Sequence, residues 1–189
     1  MARPLSEEKR NAIVAAALDN VAADGVSART AKIAAAARVA EGTFFTYFAT
    51  KEILFNELYV TLKHELAVAM RPEFERTSDL FGRWQSVWNS YVDWGVQNSV
   101  KRKALKHLYI SDCISEESRV IAGSATADMA KALLSGSDAA ALRYQSGEYI
   151  VATYEALAEM TIDMIARDPD TREHYKQAGF ESFWRAVAL

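Results

Sequence analysis

The chain is poor in several residue types. In 189 residues there are one cysteine (Cys113), three prolines and eight glycines. A lone cysteine cannot close an internal disulfide, which excludes a disulfide-stapled scaffold and fits a reducing cytoplasm. Little proline and glycine, beside heavy use of Ala, Leu, Glu and Lys, points to helices throughout. No stretch approaches the roughly 18 apolar residues of a membrane span, so no membrane partner is expected. "AIVAAAL" (Ala12–Leu18) is preceded by Glu7 and Glu8 and closed by Asp19 and Asn20, which is not the pattern of a signal peptide. There is no sustained period-two alternation, no repeat and no low-complexity tract.

Catalytic constellations are scarce too. His64, His107 and His174 are scattered, and none makes a metal-type spacing with Cys113 or another histidine. "HEL" at His64 lacks the later histidine of a zinc protease, no Gly-rich phosphate loop follows a strand, and nothing orients Cys113 toward His107. The expectation is a protein that is not an enzyme and uses no metal or cofactor. Positive charge is also short. The net charge is −3, with 9 Lys+Arg against 8 Asp+Glu in residues 1–71 and 13 against 17 in the rest. That balance excludes a generic nucleic-acid coat and leaves room for contact over a small patch.

Half the residues are hydrophobic, and their spacing predicts an all-α chain. A first helix spans about 8–24, with Ser6 as N-cap and Gly25 as stop; Ile13, Ala16, Ala17 and Val21 form its buried stripe. Short helices follow over about 30–37 and 41–47, then one from Lys51 to about Met70, opened by Thr50 and stopped by Arg71-Pro72. Longer helices are predicted over about 79–98, 100–110, 116–134 and 139–167. The last runs over about 171–188, interrupted or kinked near Gly179.

"RVAEGTFFTYFATKE" (Arg38–Glu52) crowds Phe44, Phe45, Tyr47 and Phe48 into five residues. A helix of about two turns cannot bury all four rings. Phe44 and Phe48 share a face and can pack on Ile13, Ile33 and Leu54, leaving Phe45, Tyr47, Thr43 and Thr46 outward. Two short helices joined by a tight turn and braced by a longer first helix make a helix-turn-helix unit, whose second helix presents its N-terminal residues to base edges in the DNA major groove.

Those residues resemble the N-terminal domain of the TetR family of bacterial transcriptional regulators. Ile13, Ala16, Ala17, Gly25, Ile33, Ala34, Ala37, Val39, Gly42, Thr43, Phe44, Tyr47, Phe48, Thr50, Lys51, Glu52 and Leu54 fall on the family pattern without a gap. The resemblance covers the first quarter to third of the chain. It implies a DNA-binding domain over residues 1–55, linked through the helix of about 50–70 to a ligand-sensing and dimerising bundle over 56–189. Glu41, Gly42, Thr43 and Phe45 would face bases, and Thr30, Thr46, Tyr47 and Lys51 would hold phosphates. Repression from a palindromic operator is the implied default. Arg38 stands where the family has a turn glycine, Ala40 where it has serine and Phe45 where it has tyrosine. Arg38 is therefore expected to carry strain if its φ is positive, while Arg29 and Arg38 add phosphate contacts.

In the second part, Trp84, Trp88 and Tyr91 lie on one helical face, which reads either as bundle core or as the wall of a small-molecule pocket. Tyr109, Met129 and Tyr149 could extend such a wall, with Leu62 and Leu66 relaying it to the reading head. Glu148, Glu155 and Glu159 form a stripe that is either solvated or, if buried among rings, selective for a cation. Ile150, Tyr154, Leu157, Phe180, Phe183, Trp184 and Val187 are candidates for a homodimer interface of two helices per chain. The reading is a ligand-responsive DNA-binding regulator. The alternatives are a helical dimeric scaffold or sensor with a weakened DNA-reading head, and a helical enzyme.

Overall fold

The computed structural model describes residues 5–135, 142–143 and 146–189. Among them are ten α-helices and no strand: α1 (Glu7–Asp24), α2 (Thr30–Ala36), α3 (Glu41–Tyr47), α4 (Lys51–Arg76), α5 (Leu80–Gln97), α6 (Ser99–Tyr109), α7 (Glu116–Ser124), α8 (Ala127–Leu134), α9 (Gly147–Arg167) and α10 (Arg172–Val187). The chain divides into two compact units, one of Met1–His64 with Asn98–Ala125, the other of Glu65–Gln97 with Thr126–Leu189.

The first unit holds α1–α3, the front of α4, α6 and α7. Ser6 caps α1 by accepting from the Lys9 amide, and Gly25 (φ 65°) closes it. Ile13, Ala17 and Val21 of α1, Ile33 of α2, Phe44 of α3 and Leu54 and Phe55 of α4 are all fully buried, and α1 packs against α2 and α6. Each such large apolar side chain contributes about 1.5–3 kcal/mol. From α6, Ala104, Leu105 and Leu108 turn inward, and Arg119 of α7 donates to the carbonyls of Tyr109 and Ser111, satisfying the acceptors at the end of α6. Asn56 of α4 clasps the next loop, donating to Cys113 O and accepting from the Ser115 amide.

The second unit is built on rings. Trp84 and Trp88 of α5 meet Tyr154 of α9 and Phe180 and Phe183 of α10 at centroid separations of 5.0–6.1 Å. Gly179 allows this closeness. A Cβ there would fall 2.3 Å from Thr161 Oγ1 and 2.7 Å from Trp88 Cζ2, so α10 packs through bare backbone. Arg71 and Asp128 form a two-pronged ion pair at 2.7 and 3.1 Å, tying the end of α4 to α8.

Several boundaries differ from the sequence expectation. The fourth helix does not stop at Pro72; α4 runs on to Arg76. Proline removes one hydrogen bond, but residue 68, whose carbonyl is left without it, is exposed, and burial of Met70 and Phe74 holds the next turn. The helix expected over 116–134 breaks at residues 125–126 into α7 and α8, just after the weak helix formers Gly123 and Ser124. The helix expected to start at 139 starts at Gly147, where Ser146 accepts from the Tyr149 amide; residues 139–141 and 144–145 of that expectation lie outside the described residues. No break occurs at Gly179, because α10 is continuous there.

Candidate nucleic-acid interface

The turn between α2 and α3 is a Schellman motif. The Arg38 amide donates to Ala35 O and the Val39 amide to Ala34 O, both at 3.0 Å. Such a motif needs one residue in the left-handed region, and Arg38 takes it with φ 57°; no other non-glycine residue among those described has positive φ. The chain then enters α3 through Ala40, which is extended and offers no side-chain cap. Glu41 in the first turn partly compensates by placing a negative charge near the helix N-terminus.

The four crowded rings divide between two faces. Phe44 and Phe48 are buried, while Phe45 is 48% exposed. Phe45 lies outward with Arg38, Glu41, Gly42 and Thr46, while Thr43, Tyr47, Thr30 and Lys51 are half-buried and Arg29 is exposed. The Tyr47 hydroxyl accepts from the Ser6 amide at 2.9 Å, anchoring the start of α1 and leaving its own proton to donate elsewhere. Thr46 donates to Gly42 O at 3.1 Å. Thr30 donates to Glu41 Oε1 at 2.7 Å, so the α2 N-terminus positions the first carboxylate of α3.

Lys51 sits in the first turn of α4, its Nζ donating to Val26 O at 3.0 Å and lying over the Phe55 ring. Next to it, the Glu52 carboxyl is held below the usual carboxylate range by its own backbone amide and by the Thr50 hydroxyl. Arg29, Thr30, Glu41, Phe45 and Lys51 line one open groove of about 550 Å³, with Ser27, Thr50 and Glu52. Thr50, read from the sequence as a helix cap on the family pattern, and Ser27, not singled out there, complete the polar lining of the groove. Gly42 is informative in another way: a Cβ there would meet nothing within 4 Å. Glycine inside a helix costs about 0.5–1 kcal/mol relative to alanine, and no described residue stands close enough to require it at 42.

Of the residues read as a pocket wall, Trp84, Trp88 and Tyr91 come together with Tyr154 in the ring cluster of the second unit, where Met129 and Leu66 are also buried. Leu62 is buried in the first unit, where Tyr109 is exposed, and Tyr149 of α9 is exposed. The Tyr91 hydroxyl meets Glu159 Oε1 at 3.2 Å, so one carboxylate of the stripe reaches the edge of the rings; Glu155 is half-buried and Glu148 exposed. The Trp84 indole N–H is buried with no acceptor among the described residues, and burial pushes the Tyr154 hydroxyl well above its ordinary pKa.

Of the residues read as a dimer interface, Ile150, Tyr154, Phe180, Phe183 and Val187 are at most 6% exposed within a single chain. Among them, Tyr154, Phe180 and Phe183 join α5, α9 and α10 through ring contacts. Leu157 and Trp184 are half-buried. The outward apolar stripe of α9 consists instead of Tyr149, Ala152, Ala156 and Met160. Among the described residues, no group of three His, Cys, Asp or Glu could hold a metal ion, and no helix is long and apolar enough to cross a membrane.

Residues 13–58 match the family described as bacterial regulatory proteins, tetR family. Over the whole chain, the structure is similar to that of a candidate tetR family transcription regulator from Shewanella sp. PV-4, at 25% identity and TM-score 0.84, covering 96% of this chain and 98% of that one. A TetR family transcription regulator from Marinobacter aquaeolei VT8 matches at 22% identity and TM-score 0.84, covering 96% of each chain. NalD, the secondary repressor of the MexAB-OprM multidrug efflux pump in Pseudomonas aeruginosa, matches at 19% identity and TM-score 0.63, again over 96% of each.

Proposed function

We propose, from a chain that carries the TetR-family N-terminal domain on a TetR-like fold, a ligand-responsive transcriptional regulator that binds a palindromic operator as a homodimer. Residues 1–55 do the reading and 56–189 sense and dimerise. The observation that carries the reading is the surface of α3: Glu41, Gly42, Phe45 and Thr46 are exposed together, beside a groove that also presents Arg29, Thr30 and Lys51. Glu41 accepts, and cytosine N4 is the major-groove donor that suits it. Phe45 can lie against a thymine methyl, and the missing side chain at Gly42 lets the duplex edge approach.

A seven-residue helix reads too few bases to discriminate alone, so two heads about one DNA turn apart are required. The exposed α9 stripe of Tyr149, Ala152, Ala156 and Met160 is the surface we assign to the second copy. The aromatic cluster around Trp84 is assigned to an apolar or flat aromatic effector, whose acceptor group would satisfy the Trp84 indole and whose cationic variants would be favoured by Glu159. Helix α4 contributes residues to both compact units and is the element through which an effector would change the spacing of the heads. Such an effector releases DNA only as far as it prefers the wide-set state; a tenfold preference is about 1.4 kcal/mol.

Selection from randomised duplexes tests the reading. It should return a two-fold symmetric motif, and Glu41→Ala should relax one base pair per half-site by about 1–3 kcal/mol. Lys51→Ala should weaken all sequences alike. An unchanged motif with Glu41→Ala would remove the base assignment.

A further inference from the structure

The helix-turn-helix segment is short of the charge that DNA binding draws on. Residues 1–64 carry 8 Lys+Arg against 7 Asp+Glu. The first unit as a whole carries 13 against 10, and the second 9 against 15. The difference lies in α6, which has Lys101, Arg102, Lys103 and Lys106 and no acidic residue. Without it the first unit would hold 9 cations against 10 anions and be net negative.

The placement of α6 matters as much as its charge. Its apolar side, Ala104, Leu105 and Leu108, is buried, while Lys103, Lys106 and His107 are exposed. At its C-terminal end, the His107 ring packs on Gly25: the Cβ that Gly25 lacks would fall 3.4 Å from Nδ1. The same turn, Gly25–Ser27, accepts the Lys51 ammonium at Val26 O and supplies Ser27 to the groove with Arg29 and Thr30. The basic helix and the phosphate-facing groove therefore share one turn of backbone. Three carboxylates, Asp112, Glu116 and Glu117, follow α6 in the chain.

We propose that α6 is a second DNA-contacting element, whose Lys103 and Lys106 bind phosphates flanking the segment read by α3. This rests on the DNA-binding reading above and adds to it a longer footprint, held by charge alone and blind to sequence. Phosphate contacts position a protein without specifying bases, so α6 would fix the head on the duplex while α3 reads.

The test compares two duplexes carrying the motif selected in vitro, one trimmed to the motif and one extended by about one helical turn on each side. Wild type should prefer the extended duplex several-fold. Lys103→Gln/Lys106→Gln, whose helical content is checked by circular dichroism, should lose that preference. Its salt slope on the extended duplex should fall by about 0.9 for each phosphate it no longer neutralises, and its affinity for the trimmed duplex should not change. Lys103→Arg/Lys106→Arg should keep the preference. Equal wild-type binding to both duplexes, or one slope shared by wild type and the Gln variant, would overturn the proposal while leaving the α3 reading intact. Absence of salt-dependent binding to either duplex would overturn both. A Gln variant that changed the oligomeric state in light scattering but not the DNA slope would overturn the proposal in favour of a contact with a second copy of this chain.

Discussion

Arg38→Gly separates what the turn costs from what it does. Arg38 sits at φ 57° with its side chain exposed. A non-glycine residue in the left-handed region costs about 1–2 kcal/mol, and glycine removes that. Glycine also loosens the unfolded chain, which returns about 0.4–1 kcal/mol. The net gain is roughly 0.5–1 kcal/mol, a rise in Tm of about 1–4 °C for a chain of this length. The guanidinium removed in the exchange is assigned to a phosphate, so DNA binding should move the other way. The slope of log K against log salt should fall by about 0.9 for each head. Arg38→Ala is the control: it keeps a Cβ at positive φ and loses the charge, so it should weaken DNA binding without raising Tm. Thermal melts and salt titrations of the three proteins decide the matter. An Arg38→Gly protein that melts lower than wild type would refute the strain argument, and unchanged salt slopes in both variants would refute the phosphate assignment.

Three further outcomes are expected. Gly179→Ala should destabilise the protein by about 1–2 kcal/mol in denaturant titration, since overpacking against Thr161 and Trp88 outweighs the helix propensity gained; a stabilised variant would contradict the close packing. Asp128 titrates at about 2 beside Arg71, below its ordinary 3.8. The stability that this pair contributes is therefore full above about pH 4 and lost as pH falls through 2. Asp128→Asn should be less stable than wild type at neutral pH and converge with it in acid, and parallel curves down to pH 2 would contradict this. Met160→Asp, on the exposed stripe of α9, should give monomers in light scattering and abolish operator binding; a dimeric Met160→Asp protein would move the interface elsewhere.

The head was legible because its determinants are local. Seven consecutive residues, Glu41–Tyr47, form the helix expected of them, and a motif with a fixed turn leaves little freedom in register. The strain at Arg38 follows from a single residue standing where the chain must turn left-handed. Elsewhere tertiary packing overrides local signals. Pro72 reads as a stop, yet Phe74 finds a buried place within the next turn and the helix continues. Gly179 reads as a break, yet its lack of a side chain is what lets α10 approach Trp88. The aromatic residues of α5 can be grouped on one face from their spacing, but spacing does not say how deep a face lies. For the same reason apolar residues on α9 and α10 could not be divided in advance between the chain's own core and a partner. Phe183 and Val187 are consumed internally, and the surface left outward is the milder stripe of Tyr149, Ala152, Ala156 and Met160.

The central claim is that this chain recognises duplex DNA with α3. Titration of the purified protein onto labelled fragments from the DNA adjoining its own gene tests it most directly. The account predicts saturable binding to one fragment at two chains per site. That binding should weaken steeply between about 50 and 200 mM salt and relax in specificity with Glu41→Ala. No saturable binding to any fragment, or binding to all fragments alike with Glu41→Ala indistinguishable from wild type, would contradict it.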